Sequence, residues 1–597
     1  MSNTIENKTE NGGKLIFSDG QELMISGEAT EITKDIYTGT NDVKEIILPE
    51  SVKEIKARSF SWYKNMCAVT LPKELYGIGE GAFNHCSSLK EIALPAGLQE
   101  IGDWAFYACS GLESITVPDC IQRIGDEMFC GCSSLQNVSL GKQITGIGRK
   151  AFFGCTSLAE ITLPESVLSI GDLAFSECDQ LKSVTVSEKM RSVGNGSFKG
   201  CDRLLFVYLP ESVTSMGDSA FEDCVNLREI RLGNEITRIP ENAFRNCICL
   251  SFFEMPKAVK TIGTGAFFGC YSLLTVSFSE ALTTIGEAAF AYCRNVVGIL
   301  FPPSLKTIEK HAFFLCEDMR RIQLPDSVQE LGEAAFEECS HLETAVIGNG
   351  LTKLQPYTFS KCMLLKEVTL PEGMTEIGSF AFARCHDLNR INVPKDLHTV
   401  GDNAFLSCFN LAEFILPEGV AYIGESAFKE CRSMARLVIP STVKQIGAEA
   451  FSQCAVLSDV EFQKGMTYVC EGMFEYCISL KNIVLPVSVK RIERNAFRKC
   501  VNLETVVLPD GLLRIDSLAF EDCGLKHLDI PKTVSYIDDT AFDGCYDLVI
   551  RAPRGSYAAS FARRNAIRLV CTGEIEEPPK KGLLARLFSK KQRYMNF

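Results

Sequence analysis

Cysteine is the first residue type here whose spacing invites a chemical reading. The chain has 27 cysteines, and 21 of them, from Cys86 to Cys545, stand three residues after a phenylalanine that itself recurs. Residues that recur in register form a ladder, and an odd ladder whose rungs have equivalent neighbours on both sides cannot pair completely into disulfides. We therefore expect free thiols packed as small buried hydrophobes in a reducing compartment. The closest pairs, Cys130-Gly131-Cys132 and Cys247-Ile248-Cys249, lack the Cys-x-x-Cys spacing of common zinc sites. The six histidines, His85, His311, His341, His386, His398 and His527, fall at six different repeat positions, so no Cys/His or Ser/His/Asp set assembles from them. Acids recur at one position, as in Asp103, Asp126, Asp172, Asp218, Glu287 and Asp402, which raises the question of a calcium ladder. Single carboxylates interrupted by Arg149, Asn195 and Thr264 do not supply the six to eight oxygens that calcium takes. No phosphate-cradling glycine loop is present. The expectation is a non-enzymatic chain with no cofactor and no bound metal.

The elements that would position these residues follow from one period. Phenylalanine recurs every 23 residues from Phe60 to Phe520, and a last copy follows at Phe542 after 22. A fixed period of this size marks a solenoid, here of about 22 coils. In a typical copy, Leu89, Ile92 and Leu94 are apolar while Lys90, Glu91 and Ala93 face the other way, a strand pattern that Pro95 ends. A second apolar stretch, Leu98 to Ile101, leads into Gly102, which we expect to turn the corner in a left-handed or tight conformation. The acid that follows it would cap Ala105-Phe106-Tyr107-Ala108-Cys109, a group with helix-like spacing. The predicted fold is thus a parallel β-sheet with short helical or 3-10 turns, and the phenylalanines stack down its interior.

Composition limits the function classes. The chain has 597 residues, 46% of them hydrophobic and 23% charged, which are ordinary values for an ordered protein. Its net charge is −14, and because residues 578–597 carry six basic side chains and no acid, the part before them carries −20. Such a body repels a polyanion, so nucleic acid is not an expected partner. The polar start Met1-Ser2-Asn3-Thr4-Ile5-Glu6-Asn7-Lys8 and the absence of a long apolar run lead to an expected cytoplasmic location. The domain reading is a disordered N-terminus at 1–13, a hairpin cap at 14–42, the solenoid at 43–548, a cap with a helix at 549–571, and a linker with a basic tail at 572–597. The hairpin rests on Asp19-Gly20 between two apolar runs, and the helix on Ser556 followed by Tyr557 and Phe561 four apart.

The Leu-x-x-Ile-x-Leu-Pro, Ile-Gly and Ala-Phe-x-x-Cys run, repeated over residues 43–548, resembles the BspA-type leucine-rich repeat. The resemblance implies a leucine-rich-repeat solenoid and, for many relatives, non-enzymatic adhesion to host or microbial surfaces. The leading expectation is an interaction scaffold that binds a protein or other macromolecule along the sheet face. The alternative is a BspA-like adhesin that reaches the cell surface by a non-standard export route. On the outward side of the strands, Leu205, Phe206, Tyr208 and, two coils on, Phe252 are not needed for folding and are the candidate partner-binding residues. Farther along the chain, the exposed strand position is Ile415, Val438, Glu461, Val484 and Val507 in successive copies, which is read as strand propensity. The tail places Leu583, Leu584, Leu587 and Phe588 on one helical face flanked by Lys580, Lys581, Arg586, Lys590, Lys591 and Arg593. That pattern is expected to dock weakly on an anionic membrane surface or an acidic partner.

Overall fold

The computed structural model describes residues 12–37, 39, 42–463 and 465–572. The chain forms two compact units, Met1–Leu397 and His398–Phe597. Both are parallel-strand β-solenoids, with about 23 turns between them and almost no helix.

In the first unit, the apolar runs on either side of Asp19-Gly20 form antiparallel strands, Gly13–Phe17 and Glu22–Ile25. The Asp19 carboxylate accepts the Gln21 N–H at 2.9 Å, and Gly20 has φ 83°, the left-handed geometry that a tight hairpin needs. Strand Gly13–Phe17 also pairs antiparallel with Val43–Ile47, and from there on the neighbouring coils pair in parallel. One turn more is present than the phenylalanine spacing counts. It contains Glu31–Ile32, in register with Glu54–Ile55, and places Tyr37 where later coils have phenylalanine.

A typical coil has two strands joined by two turns. The outer-facing strand has about three residues, as in Ser114–Thr116, which pairs with Asn137–Ser139. Alternation buries Ile115 and Val117 while Thr116 faces out. Proline then starts a turn whose carbonyl accepts an N–H three residues on, as Pro118 does from Ile121 at 3.2 Å. The second apolar stretch becomes a two-residue strand, such as Arg123–Ile124 beside Gly146–Ile147, so a second parallel sheet runs along the unit.

The corner glycine corrects the expected left-handed geometry, because Gly102 is not among the residues with positive φ. Close stacking explains it instead. A Cβ on Gly102 would lie 2.4 Å from the Glu80 nitrogen of the preceding coil, and one on Gly171 would lie 2.7 Å from the Gly148 carbonyl carbon. Left-handed residues occur elsewhere, two positions before and two after the phenylalanine, as Trp104 and Ala108 show around Phe106 (φ 58° and 55°). Bonds of the i to i+3 type, such as Cys109 N–H to Phe106 O at 3.2 Å, do form in this turn. The left-handed residues on both sides prevent them from propagating into a helix. Their own N–H groups, with that of phenylalanine, donate to the next coil: Trp104 to Asp126 O (2.9 Å), Phe106 to Met128 O (3.0 Å), and Ala108 to Cys130 O (2.7 Å).

The phenylalanines stack as the period predicts. Neighbouring ring centroids lie 5.0 to 5.7 Å apart from Phe60 to Phe382 in the first unit. In the second unit they lie 5.2 to 6.0 Å apart from Phe405 to Phe542. That unit ends with strand Val549–Pro553, helix Tyr557–Arg564 and strand Arg568–Thr572, the two strands being parallel. Ser556 caps the helix by accepting the Ala559 N–H at 3.2 Å. Buried Phe561 meets the last ring of the stack, Phe542, edge-on at 6.0 Å.

Candidate functional site

The residues with chemical potential are absorbed by the fold. Ladder thiols are buried, and within each unit they donate to the carbonyl of the phenylalanine in the coil before, as Cys86 does to Phe60 (3.1 Å) and Cys201 to Phe175 (3.1 Å). The bond recurs to the end of the row, where Cys545 donates to Phe520 (3.0 Å). In the first coil Tyr63 stands in the cysteine row, and its hydroxyl donates to the Tyr37 carbonyl at 3.0 Å. Burial pushes the thiols of Cys155, Cys178 and Cys224 far above their ordinary range, and those of Cys339 and Cys454 to about 12. A thiol held protonated is not a nucleophile or a metal ligand.

The acid row does not cap its own turn, which corrects the N-cap reading. The Asp103 carboxylate accepts the N–H of Asp126 in the next coil (2.7 Å), and Asp172 accepts that of Asn195 (2.7 Å). Asn195 repeats the contact with its side-chain oxygen to Asp218 N–H (2.8 Å). With no helix to cap, the carboxylate satisfies the unpaired donor one coil on. His85 stacks on Trp62 at 3.8 Å, and burial, followed by the Lys64 charge, lowers its pKa. His341 lies 2.9 Å from Asp318 through Nδ1. Among the described residues, no three His, Cys, Asp or Glu side chains are grouped to hold a metal ion.

What remains is the outward face of the three-residue strands. Leu205 is half-buried, while Phe206, Tyr208 and Phe252 are exposed by 43%, 48% and 49%. Strand Phe206–Tyr208 turns only Val207 inward, so both aromatic rings face solvent, 6.1 Å apart. The next strand, Glu229–Arg231, aligns Glu229 with Phe206 and Arg231 with Tyr208. Arg231 lies over the Tyr208 ring at 5.3 Å and pairs with Glu229 at 2.9 Å. Leu205, Phe206 and Tyr208 therefore share one coil, and Phe252 is separated from them by this self-neutralised pair.

Sequence reading did not single out exposed Leu274, Val297 and Leu300 on the same face. The 23-residue period places Leu274 and Val297 in the row of Leu205, and Leu300 in that of Tyr208, so the signal was present in the rows. At the same repeat position in the second unit, Ile415, Val484 and Val507 are exposed, and Val438 aligns with Glu461. The tail residues Lys580, Lys581, Leu583, Leu584, Arg586, Leu587, Phe588, Lys590, Lys591 and Arg593 lie outside the described residues.

Among solved structures, the chain is similar to a leucine-rich repeat protein from Bacteroides ovatus at 22% identity, over 69% of this chain and 88% of that one, with a TM-score of 0.43. A leucine-rich cell surface protein from Faecalibacterium prausnitzii matches at 23% identity over 67% and 97% of the two chains (TM-score 0.34). The pneumococcal vaccine antigen PcpA matches at 20% identity over 63% and 87% (TM-score 0.34). No curated protein matches the sequence significantly. Residues 18–136, 122–251, 237–366, 339–454 and 421–549 each match the family described as the BspA type leucine rich repeat region. Since those segments span almost all of the repeating sequence, the chain belongs to the BspA-type leucine-rich repeat family.

Proposed function

We propose that the protein is a non-enzymatic scaffold that binds a macromolecular partner along the outward face of its three-residue strands, through Leu205, Phe206, Tyr208 and Phe252. Family membership supports a protein-interaction or adhesin-like role. The observation that carries the placement is the pair of solvent-facing rings on one strand, Phe206 and Tyr208, with Phe252 two coils away, where the fold gains nothing from an aromatic. Exposed aromatics of this kind supply contact area at small entropic cost when a partner covers them.

The test is capture of partner from the native cell by wild-type protein and by a Phe206→Ser/Tyr208→Ser/Phe252→Ser variant. The partner is expected to be lost with the variant while thermal unfolding stays close to wild type. Equal capture by both proteins rejects this face. A large loss of stability would instead show that the three side chains are packed.

A further inference from the structure

We propose that the binding face continues to Leu300 and takes a polypeptide segment of no net charge whose apolar anchors stand about 10 Å apart. This rests on the strand-face reading and narrows it to a partner class.

The clustering of exposed apolar residues comes first. Of the fourteen large hydrophobic side chains exposed among the described residues of the first unit, eight fall between Phe206 and Leu300. Six of them, all but Ile248 and Tyr271, lie on or directly beside the outward strands. Leu205 accepts the Arg228 N–H at 2.9 Å, Ser251 that of Leu274 at 3.0 Å, and Leu274 that of Val297 at 3.2 Å, so these rows are adjacent in space. Phe206 and Phe252 are two coils apart, and so are Phe252 and Val297. At about 4.8 Å per strand this spaces the anchors by about 10 Å, close to the three-residue turn of a polyproline-II segment, which rises about 9 Å and returns every third side chain to the same face.

The second observation is local. In the coil of Leu300, the outward strand is reduced to a single bridge between Gly298 and Arg321. A Cβ on Gly298 would meet nothing within 4 Å, and Leu300 beside it is 91% exposed. Glycine there leaves backbone open to close approach by another chain.

Charge decides the class of partner. Residues 181–300 hold twelve acidic and twelve basic side chains, which leaves this stretch neutral in a chain that carries −20 before its basic tail. Glu229 and Arg231, at the centre of the patch, satisfy each other. A basic partner would be drawn to the remainder of the body and an acidic one repelled by it, whereas a neutral apolar segment finds no opposing charge here.

Fluorescence anisotropy with the full chain tests this at physiological salt. The probes are labelled 16-residue peptides with Leu or Phe at every third position and, between them, Ser/Thr/Gln, Glu-rich or Lys-rich residues. The neutral peptide is expected to bind at least tenfold more tightly than the Glu-rich and Lys-rich ones. Leu274→Ser/Leu300→Ser, with unchanged thermal unfolding, is expected to weaken it at least tenfold. Tightest binding by the Lys-rich peptide, insensitive to that variant, overturns the inference and leaves the strand-face reading standing. Loss of neutral-peptide binding in the Phe206/Tyr208/Phe252 variant but not in Leu274→Ser/Leu300→Ser ends the site at Phe252 and also overturns it. If no peptide binds while the cellular partner is still captured through Phe206, Tyr208 and Phe252, the partner class is wrong. If that capture fails too, both readings fall.

Discussion

Replacing Phe290 by Ala removes a ring that stacks on Phe267 at 5.0 Å and on Phe313 at 5.3 Å, with Phe278 edge-on at 5.8 Å. Deleting a fully buried Phe side chain costs roughly 3–5 kcal/mol through lost burial and the cavity left behind. Each aromatic pair contributes about 0.5–1.5 kcal/mol beyond area, so with three partners the upper half of that range is expected. Neighbouring coils contact only each other, so the loss should appear first as local opening around residues 267–313. Hydrogen exchange of the amides of Phe267, Phe290 and Phe313, which bond across coils to Ala289, Ala312 and Ala335, reads that opening directly. The control is Phe252→Ala on the outward face, where a surface change is worth about 0.5 kcal/mol or less. Equal protection loss in the two variants, or a Phe290→Ala effect below about 1 kcal/mol, would refute the division into an inner stack and a free outer face.

Native protein treated with a thiol reagent should label exposed Cys120 and Cys571 quickly and the ladder cysteines only on unfolding, which mass spectrometry of tryptic peptides would show. Because burial holds Cys339 and Cys454 at about 12 while an unfolded cysteine titrates near 8.5, the native state keeps protons that the unfolded state releases. That stability is fully present below about pH 8.5 and falls by about 1.4 kcal/mol per pH unit for each such thiol up to about 12, so urea midpoints should drop steadily above pH 9. Asp172→Ala should cost about 1 kcal/mol by leaving the Asn195 N–H without its acceptor, whereas Asp172→Asn should be nearly neutral in thermal unfolding, since Asn195 already plays that part toward Asp218. Co-sedimentation with anionic vesicles should pellet the full chain and not one ending at residue 572, and equal pelleting would reject the membrane role of the tail.

The ring stack and the hairpin were legible because each rests on a local rule, a fixed period in one case and Asp-Gly between apolar runs in the other. The two-residue strands were not, since Arg123-Ile124 is too short to display alternation. The left-handed positions were hidden for a different reason. Residues as unlike as Trp62, Glu127, Lys150 and Leu173 occupy them, because the conformation is stabilised by bonds to the next coil, such as Lys150 N–H to Asp172 O at 2.8 Å, and not by intrinsic preference. Gly102 and the acid row were misassigned through the same omission: both answer to the adjacent coil, which a single repeat read in isolation does not contain. On the candidate face, aromatic residues drew attention to Phe206, Tyr208 and Phe252, whereas Leu274, Val297 and Leu300 emerge only when successive coils are aligned.

Site-specific photo-crosslinking in the native cell tests the central claim most directly, with a benzophenone amino acid placed at Phe206 and, as control, at Thr116, which is outward-facing on a coil without exposed aromatics. A discrete crosslinked partner from position 206 and none from position 116 is the predicted result. Identical products from both positions, or none from position 206 while the partner still co-purifies, would contradict the account.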